Sequence, residues 1–277
     1  MKSQELFTFN VENPETAYIL GYLWSDGSVF YDKHKQAHIR LFINESDGEN
    51  IKEYFNNFSF LKKWTSYRYH YPSATRNNGP KIQFTLYNQL LGKFLLEILN
   101  YKNKSLASPI EISKFIPLEL LRYFWLGIFD GDGCICEHNS KFRWTITSSY
   151  DQNWDSYLIW LKSIGISTVY TRRVITKTNQ FSFIDISNLK DMSILYDYWY
   201  KDNLTIGLKR KRDKMLHAKE HYLNTVNKQS SKHRGVSYNA RNKKWKGYIR
   251  KNKKTIHLGY FPTEQKALEK VLSYDRK

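Results

Sequence analysis

The chain has 277 residues, of which 41% are hydrophobic, and this is enough to build more than one buried core. Its net charge is +18, and residues 201–277 supply +16 of it, from 22 Lys and Arg against 6 Asp and Glu. With two Cys and no stretch approaching the roughly 20 apolar residues of a membrane span, the composition excludes a disulfide framework and a transmembrane protein. We expect an unsecreted protein in the cytoplasm, in a bacterial or phage-infected cell or in an organelle.

The first predicted element is a helix that begins at Pro14, because Asn13 can cap it and proline suits the first helical position. Residues 14–29 are echoed by residues 117–135, where Pro117 holds the equivalent place. A hairpin, a helix, a second hairpin and another helix are predicted after each copy. We therefore predict two α/β halves, residues 1–108 and 109–223. Three pairs recur 106 positions apart: Gly21 and Gly127, Asp26 and Asp132, Gly27 and Gly133.

The two repeated helices are apolar almost all round, so they must be buried against a partner. Small residues lie four apart on one face of each helix: Gly21 and Ser25 in the first copy, Gly127 and Gly131 in the second. Two such faces can approach backbone to backbone. We expect each helix to pack against the other copy across a pseudo-twofold axis.

This packing would bring Asp26 and Asp132 together at neighbouring helix C-termini. Two carboxylates there repel each other and oppose the negative ends of the helix dipoles, and a divalent cation between them resolves the conflict. A single Asp-Gly pair is first of all a turn signal, but two copies in equivalent context favour a functional site. Residues 130–133 lack the later ligands and the closing Glu of a calcium loop.

The row Cys134, Cys136 and His138 raises the alternative of a zinc site. On a strand these side chains lie about 6 to 7 Å apart along the chain, too far to share one tetrahedral ion. We favour two free thiols in a reducing compartment.

Residues 19–27 (ILGYLWSDG) and 125–133 (WLGIFDGDG) resemble the two signatures of a single-chain LAGLIDADG homing endonuclease. The resemblance covers about residues 15–222; the first copy departs from it with Trp24, where the second has Asp130. It implies Mg²⁺-dependent hydrolysis of one phosphodiester in each DNA strand, with Asp26 and Asp132 as the catalytic, metal-binding carboxylates. The family tends to carry a Lys at the end of each half, and Lys104 and Lys211 match these catalytic positions. Ordinary phosphate contact is their alternative role.

The resemblance also implies that antiparallel sheets form a DNA-binding saddle. After each aspartate the pattern alternates with Val29 and Ile135 inward, so the opposite face of each sheet is available to the major groove, or is merely solvated. The predicted DNA-binding residues of the first half are Ser28, Phe30, Asp32, His34, His38, Arg40, Arg68, His70, Lys81, Gln83 and Thr85. Those of the second half are Cys134, Cys136, His138, Ser140, Arg143, Arg172 and Arg173.

The basic C-terminal segment favours nucleic acid as the partner, and the aromatic residues among its charges argue against a disordered tail. The sequences HRGV at 233–236, YIR at 248–250, HLGYF at 257–261 and TEQKA at 263–267 resemble the Apetala-two (ethylene-response-factor) DNA-binding domain. This implies three antiparallel strands against one helix capped by Thr263, in residues 229–277, after a polar stretch at 224–233. The DNA-binding residues carried over are Arg234, Arg241, Lys243, Trp245, Arg250 and His257.

The predicted fold class is α+β, with two pseudo-symmetric halves and a small three-stranded sheet with one helix. The predicted function is a sequence-specific homing endonuclease that makes a Mg²⁺-dependent double-strand break in DNA, acting as a monomer with internal pseudo-twofold symmetry. The alternatives are an intron maturase that binds RNA and a non-catalytic DNA-binding regulator. The presence of both carboxylates favours the enzyme.

Overall fold

A computed structural model describes residues 9–60, 66–70, 79–104, 106, 110–149, 152–201, 206–227, 231–239, 241–251 and 254–275, with only the backbone for 66–70, 110, 111, 226, 227 and 275. The chain divides into two compact units, Met1–Lys219 and Glu220–Lys277. The first predicted half and residues 109–219 of the second fall in the first unit, and residues 220–223 fall in the second unit. Among the described residues, no helix combines the length and apolar character needed to cross a membrane.

The two halves share a common order of helix, two strands, helix, two strands and helix, to which each half adds short helices of its own. The first half contains α1 (Pro14–Asp26), β1 (Gly27–Tyr31), β2 (Ala37–Asn44), α2 (Glu45–Ile51), a 3-10 helix (Lys52–Asn57), β3 (Ser66–His70), β4 (Lys81–Tyr87), α3 (Gln89–Lys93), a π-helical turn (Phe94–Ile98) and a 3-10 turn (Tyr101–Asn103). The second half contains α4 (Ile110–Ser113), α5 (Leu121–Asp132), β5 (Gly133–His138), β6 (Lys141–Ser149), α6 (Asp155–Ser163), β7 (Tyr170–Ile175), β8 (Gln180–Ile186), α7 (Leu189–Tyr200) and α8 (Lys209–Asn227).

Each half carries one antiparallel sheet, and the described strands are ordered β1-β2-β4-β3 in the first and β5-β6-β8-β7 in the second. The registers also match, because Gly27 pairs with Leu41 and Gly133 pairs with Ile146. The repeat in the sequence thus extends to the strand pairing, and the predicted α+β class with two pseudo-symmetric halves is confirmed.

The helix α1 begins as the sequence predicts: the Asn13 side chain accepts a hydrogen bond from the Thr16 amide at 2.8 Å, and Pro14 is the first helical residue. The second copy differs, because α5 begins at Leu121 rather than at Pro117. The amide of Leu120 bonds to the Pro117 carbonyl three residues back, which forms a turn, and no side chain caps α5. Without a capping side chain, the first turn does not extend the α-helix.

The helices α1 and α5 pack backbone to backbone, as the small residues predict. A Cβ atom added at Gly21 would lie 2.0 Å from the Phe124 carbonyl oxygen, and one added at Gly127 would lie 2.1 Å from the Tyr18 carbonyl oxygen. Farther along, Ser25 donates a hydrogen bond to the Ile128 carbonyl of the facing helix. This contact fixes the two helix ends, and with them the first residues of β1 and β5.

Substitution of Gly21 or Gly127 by Ala is expected to destabilise the chain by about 3 kcal/mol or more, because the added methyl group meets main-chain atoms that cannot rotate away. Chemical denaturation of each variant measures the loss. The control is Gly79→Ala, since a Cβ atom at Gly79 meets nothing within 4 Å. Equal stability of the Gly21, Gly127 and Gly79 variants would refute close helix packing.

The second unit has its own small core. It contains β9 (Val236–Asn239), β10 (Lys244–Lys251), β11 (Lys254–Phe261) and α9 (Glu264–Asp275), and the described strands form an antiparallel sheet in the order β11-β10-β9. The core residues are Val236, Ile249, Ala267 and Val271. The Thr263 hydroxyl accepts a hydrogen bond from the Lys266 amide, so it caps α9 as predicted. The predicted sheet and helix are confirmed, but the polar stretch at 224–233 is partly helical, because α8 continues to Asn227.

Candidate active site and nucleic-acid interface

The two aspartates of the repeat occupy equivalent positions. Asp26 and Asp132 are the last residues of α1 and α5, and the next residues, Gly27 and Gly133, start the first strand of each sheet. Both carboxylates keep solvent-accessible surface. Desolvation and the nearby charge of Asp26 together raise the pKa of Asp132 to about 6, against the opposing charges of Lys104 and Lys211. The structure therefore brings together two acidic groups whose charges oppose each other.

Lys104 lies at the C-terminal end of α1. Its ammonium group donates hydrogen bonds to the carbonyl oxygens of Ser25 at 2.5 Å, Gly27 at 2.9 Å and Leu23 at 3.3 Å. Ser25 lies in the last turn of α1, where carbonyl groups lack helical partners; the Leu23 carbonyl also accepts the Gly27 amide, and Gly27 begins β1. Desolvation lowers the pKa of Lys104 to about 8, against the charges of Asp132 and Asp26.

Lys211, near the start of α8, does the same for α5. Its buried ammonium group donates to the carbonyl oxygens of Gly133 at 2.6 Å, Asp130 at 2.7 Å and Phe129 at 2.8 Å. An ammonium group has three N–H donors, so these carbonyls engage all of them. The family resemblance predicts that both lysines contact phosphate; the structure shows that they neutralise the negative ends of the two helices. Phosphate contact by Lys104 and Lys211 stays a prediction.

Asp130, the second acidic residue of the repeated motif, has a different environment from Asp132. It is buried, and its Oδ2 atom accepts hydrogen bonds from the Tyr18 hydroxyl at 2.9 Å and the Leu208 amide at 2.8 Å. It therefore joins α1, α5 and the residues that lead into α8. Because α8 carries Lys211, Asp130 helps to place that lysine.

A cavity of about 420 Å³ opens beside Asp132 and Lys104. Its lining includes Thr147, Gln152 and Gln180, which were not among the predicted site residues. Larger cavities lie elsewhere, at the edge of the second sheet and in the C-terminal unit. Cavity volume does not identify the active site here, because a polymer substrate needs an open face more than an enclosed pocket.

The first sheet places several predicted readers on the side away from its core. Ser28 is exposed on β1, where it pairs with Arg40, and Phe30 is half-buried two residues on. Lys81 and Gln83 are half-buried on β4 and alternate with the buried residues Ile82 and Phe84. Arg68 and His70 lie on β3, but their side chains are outside the described residues.

Four residues of the first half are not placed on an exposed strand face as the sequence predicts. The strand β1 ends at Tyr31, so Asp32 and His34 lie in the turn, and Asp32 accepts hydrogen bonds from the amides of His34 and Gln36. His38 is buried, because Phe30 stacks on its ring, and its Nε2 lies 3.0 Å from Asp32 Oδ2. Thr85 is also buried and accepts a hydrogen bond from Gln83. These contacts leave His38 and Thr85 little surface for DNA.

In the second half, Cys134, Cys136 and His138 are exposed on β5, and the two cysteines are free thiols. Ser140 is not on the strand as we expected. It lies in the turn after β5 with a φ of 58°, and Asn139 before it also has a positive φ. Turns that join two adjacent strands favour this backbone conformation.

The two arginines of β7 lie on opposite faces of the second sheet. Arg172 pairs with Phe183 and Arg173 pairs with the buried residue Ser182, and neighbouring residues on a strand point to opposite sides. Arg172 shares its face with Arg143. The expectation that Arg173 shares this face is wrong, because its register places it with the core-side residues of β8.

In the C-terminal unit, Arg250 and His257 are exposed and share the outer face, since His257 pairs with Tyr248, two residues before Arg250. Trp245 lies on the other face: it packs against the core, and its ring contacts Tyr238 at a centroid distance of 5.3 Å. We therefore correct its expected placement with the DNA-facing residues. The remaining predicted residues, Arg234, Arg241 and Lys243, are exposed in the loops that flank β9.

The chain matches no model of a known protein family and no curated protein sequence. Among solved structures it is similar to the homing endonuclease I-WcaI bound to its DNA recognition sequence, at 14% identity over 76% of this chain and 89% of that chain, with a TM-score of 0.48. The I-LtrWI LAGLIDADG homing endonuclease bound to target DNA shows 13% identity over 79% and 98%, with a TM-score of 0.41. Full-length DUF199/WhiA from Thermatoga maritima shows 13% identity over 79% and 67%, with a TM-score of 0.43.

Proposed function

We propose that this chain is a sequence-specific homing endonuclease of the LAGLIDADG type, which hydrolyses one phosphodiester bond in each strand of double-stranded DNA. The observation that supports this most directly is the duplicated arrangement at the helix ends. Asp26 and Asp132 end two facing helices, and Lys104 and Lys211 bind the carbonyls of the same two turns. A duplex offers two strands of opposite direction, and a pseudo-twofold pair of acidic sites suits two cuts.

The acidic pair fits Mg²⁺. This ion takes oxygen ligands and is often held by only one or two carboxylates, with phosphate and water completing its coordination. Desolvation raises the pKa of both Asp26 and Asp132, so the ionised pair is under strain that a bound cation would relieve. When bound, the ion would supply an activated water and stabilise charge on the leaving oxygen.

The chain's own residues would position the two strands. The outer faces of both sheets carry Arg40, Lys81, Arg143 and Arg172, which can contact phosphates or base edges. Lys104 and Lys211 stabilise the helix ends, and their charges lower the pKa of Asp26 against desolvation. Both carboxylates are thereby kept available for the ion.

The C-terminal unit is proposed as a second DNA-binding module of the Apetala-two-like kind. The observation that favours this role is its outer sheet face, where Lys246, Arg250 and His257 lie among Tyr248 and Tyr260. Cations interleaved with aromatic residues suit a polyanion with stacked bases.

We expect the chain to cut its host's genomic DNA at one or few sites in Mg²⁺, and sequencing of the break ends tests this. Ca²⁺ should support binding with little turnover, because it accepts looser coordination. Full cleavage in EDTA would contradict the metal site. The maturase alternative predicts tighter binding to the host intron RNA than to the intronless DNA site, and the regulator alternative predicts specific binding with no breaks.

A further inference from the structure

One carboxylate lies between two arginines on the outer face of the second sheet. Asp185 of β8 accepts hydrogen bonds from Arg143 Nε at 3.1 Å and a terminal nitrogen of Arg143 at 2.6 Å, and from Arg172 Nε at 2.7 Å. The Asp185 side chain is 9% exposed, whereas those of Arg143 and Arg172 are 41% and 42% exposed. The acid is therefore covered by two guanidinium groups that themselves reach the surface.

The guanidinium groups are held in fixed orientations. Arg143 meets the carboxylate in a two-point contact, and the Arg172 guanidinium carbon lies 3.9 Å from the centre of the Phe183 ring. Each guanidinium has five N–H donors, and Asp185 takes two from Arg143 and one from Arg172. The remaining N–H donors of each guanidinium lie in the plane that this contact fixes, and they point away from Asp185.

The negative charge of Asp185 weakens the attraction of this sheet face for DNA phosphates. A carboxylate that is kept here is therefore expected to have another role in DNA binding. Desolvation would raise the pKa of Asp185, but the hydrogen bonds from Arg143 and Arg172 hold it below the ordinary value. The group therefore stays charged at neutral pH. A mobile arginine on a DNA-facing surface is drawn to the nearest phosphate, whereas a restrained arginine can be aimed at a base.

We propose that Asp185 is a specificity-determining positioning residue, which restrains Arg143 and Arg172 so that their donors meet base edges. Guanine is the base that suits them, since a guanidinium bonds its O6 and N7 atoms in a two-point contact. This inference rests on the proposed function, because it assumes that the second sheet faces DNA. Asp185 itself does not touch the DNA.

The first sheet shows that the strand pairing does not require this acid. Asp185 pairs with Thr145, which pairs with Cys134, and the equivalent chain in the first half runs from Thr85 to Arg40 to Ser28. Thr85 thus occupies the position of Asp185. Because only the second sheet has the acid here, the effect should be confined to one half of the DNA site.

The test is selection from a pool of random DNA duplexes by the full chain and by its Asp185→Asn variant. We expect the variant to keep the base preferences of one half-site and to lose guanine discrimination by about 10-fold at a short run of positions in the other. It should also bind non-cognate duplex more tightly, with a salt slope steeper by about 0.9 for each additional phosphate that the freed arginines neutralise. The control is Asp197→Asn on α7, which removes the same charge from an exposed carboxylate paired with Lys219, and should leave the base preferences unchanged.

Asp185→Thr is the second variant, because it copies the folded first sheet, and it should give the same half-site loss. A folded Asp185→Asn or Asp185→Thr chain with unchanged base preferences overturns the inference while leaving the proposed function standing. If the unmodified chain enriches no sequence, site-specific DNA recognition fails, and the inference fails with it. Selection that works with guanine discrimination lost in both halves would also contradict the confined role of Asp185.

Discussion

Replacement of Asp26 or Asp132 by Asn is expected to reduce double-strand cleavage by about 100-fold or more while DNA binding persists. Each substitution removes one anionic oxygen ligand at nearly constant volume, and the strand residues proposed to contact DNA are unchanged. Conversion of a supercoiled plasmid that carries the target site to its linear form measures cleavage, and gel mobility shift in Ca²⁺ measures binding. Undiminished cutting by both single variants would remove the acidic pair from the mechanism.

Asp132→Asn should lower cleavage but raise the free energy of unfolding. In EDTA, Asp132→Asn should stabilise the chain by about 1 kcal/mol, because solvent screens part of the repulsion at this exposed carboxylate. The sign follows because the folded-state pKa of Asp132 is raised from 3.8 to about 6, so its charge opposes folding at neutral pH. The gain should be present above that pKa and disappear as the pH falls toward 4.

A matched variant separates this effect from a general loss of negative charge. Asp213→Asn removes a carboxylate that is 52% exposed and paired with Lys209 on the surface of α8. Such a pair contributes little to stability, so this variant should change neither cleavage nor unfolding appreciably. Loss of cleavage together with higher stability is a combination that simple misfolding of the Asp132 variant cannot produce.

The sequence was sufficient to predict the paired helices and the position of the two aspartates. Both follow from local information: Gly21 and Gly127 permit a close approach only on one face of each helix, and the aspartate follows that face by a fixed number of residues. The alternation after Asp26 similarly placed Ser28 and Val29 on opposite sides of β1. The helix pairing, the aspartate positions and the strand alternation depend on short-range spacing, so they can be predicted without knowledge of the tertiary contacts.

The contacts of charged side chains could not be predicted in the same way. The face occupied by Arg173 depends on the pairing of β7 with β8, and residues 170–175 have no clear alternation of their own. The burial of His38 depends on the Phe30 ring and on Asp32 in the adjoining turn. The sequence does carry one signal for Asp185: it is the single acid in a strand that is mainly apolar, and such an acid needs cationic partners.

Deletion of residues 229–277 is expected to weaken DNA binding most at low salt while leaving the cleaved bond unchanged. This segment holds 14 Lys and Arg against 3 Asp and Glu, so its loss removes +11 of the +18 net charge. The slope of log affinity against log salt should become shallower by about 0.9 for each phosphate that the shortened chain no longer neutralises. The acidic pair and both four-stranded sheets belong to the other unit, so cleavage should persist at high protein concentration.

Two pairs of substitutions in the C-terminal unit show which of its faces is responsible. Lys246→Gln with Arg250→Gln removes two charges from the outer face of the sheet, and Lys266→Gln with Lys270→Gln removes two exposed charges from α9. If the sheet binds DNA, the first pair should reproduce part of the change in slope and the second pair should not.

The affinity of the full chain for DNA should exceed that of the shortened chain and that of the isolated C-terminal unit, because a tethered second module binds at a raised effective concentration. A salt titration of the full and shortened chains on one cognate duplex gives both slopes directly. An unchanged slope would mean that the C-terminal unit does not contact DNA, despite its charge. Cleavage of a different bond by the shortened chain would mean that this unit sets the register of the catalytic halves, and would contradict the assignment of target choice to the two larger sheets.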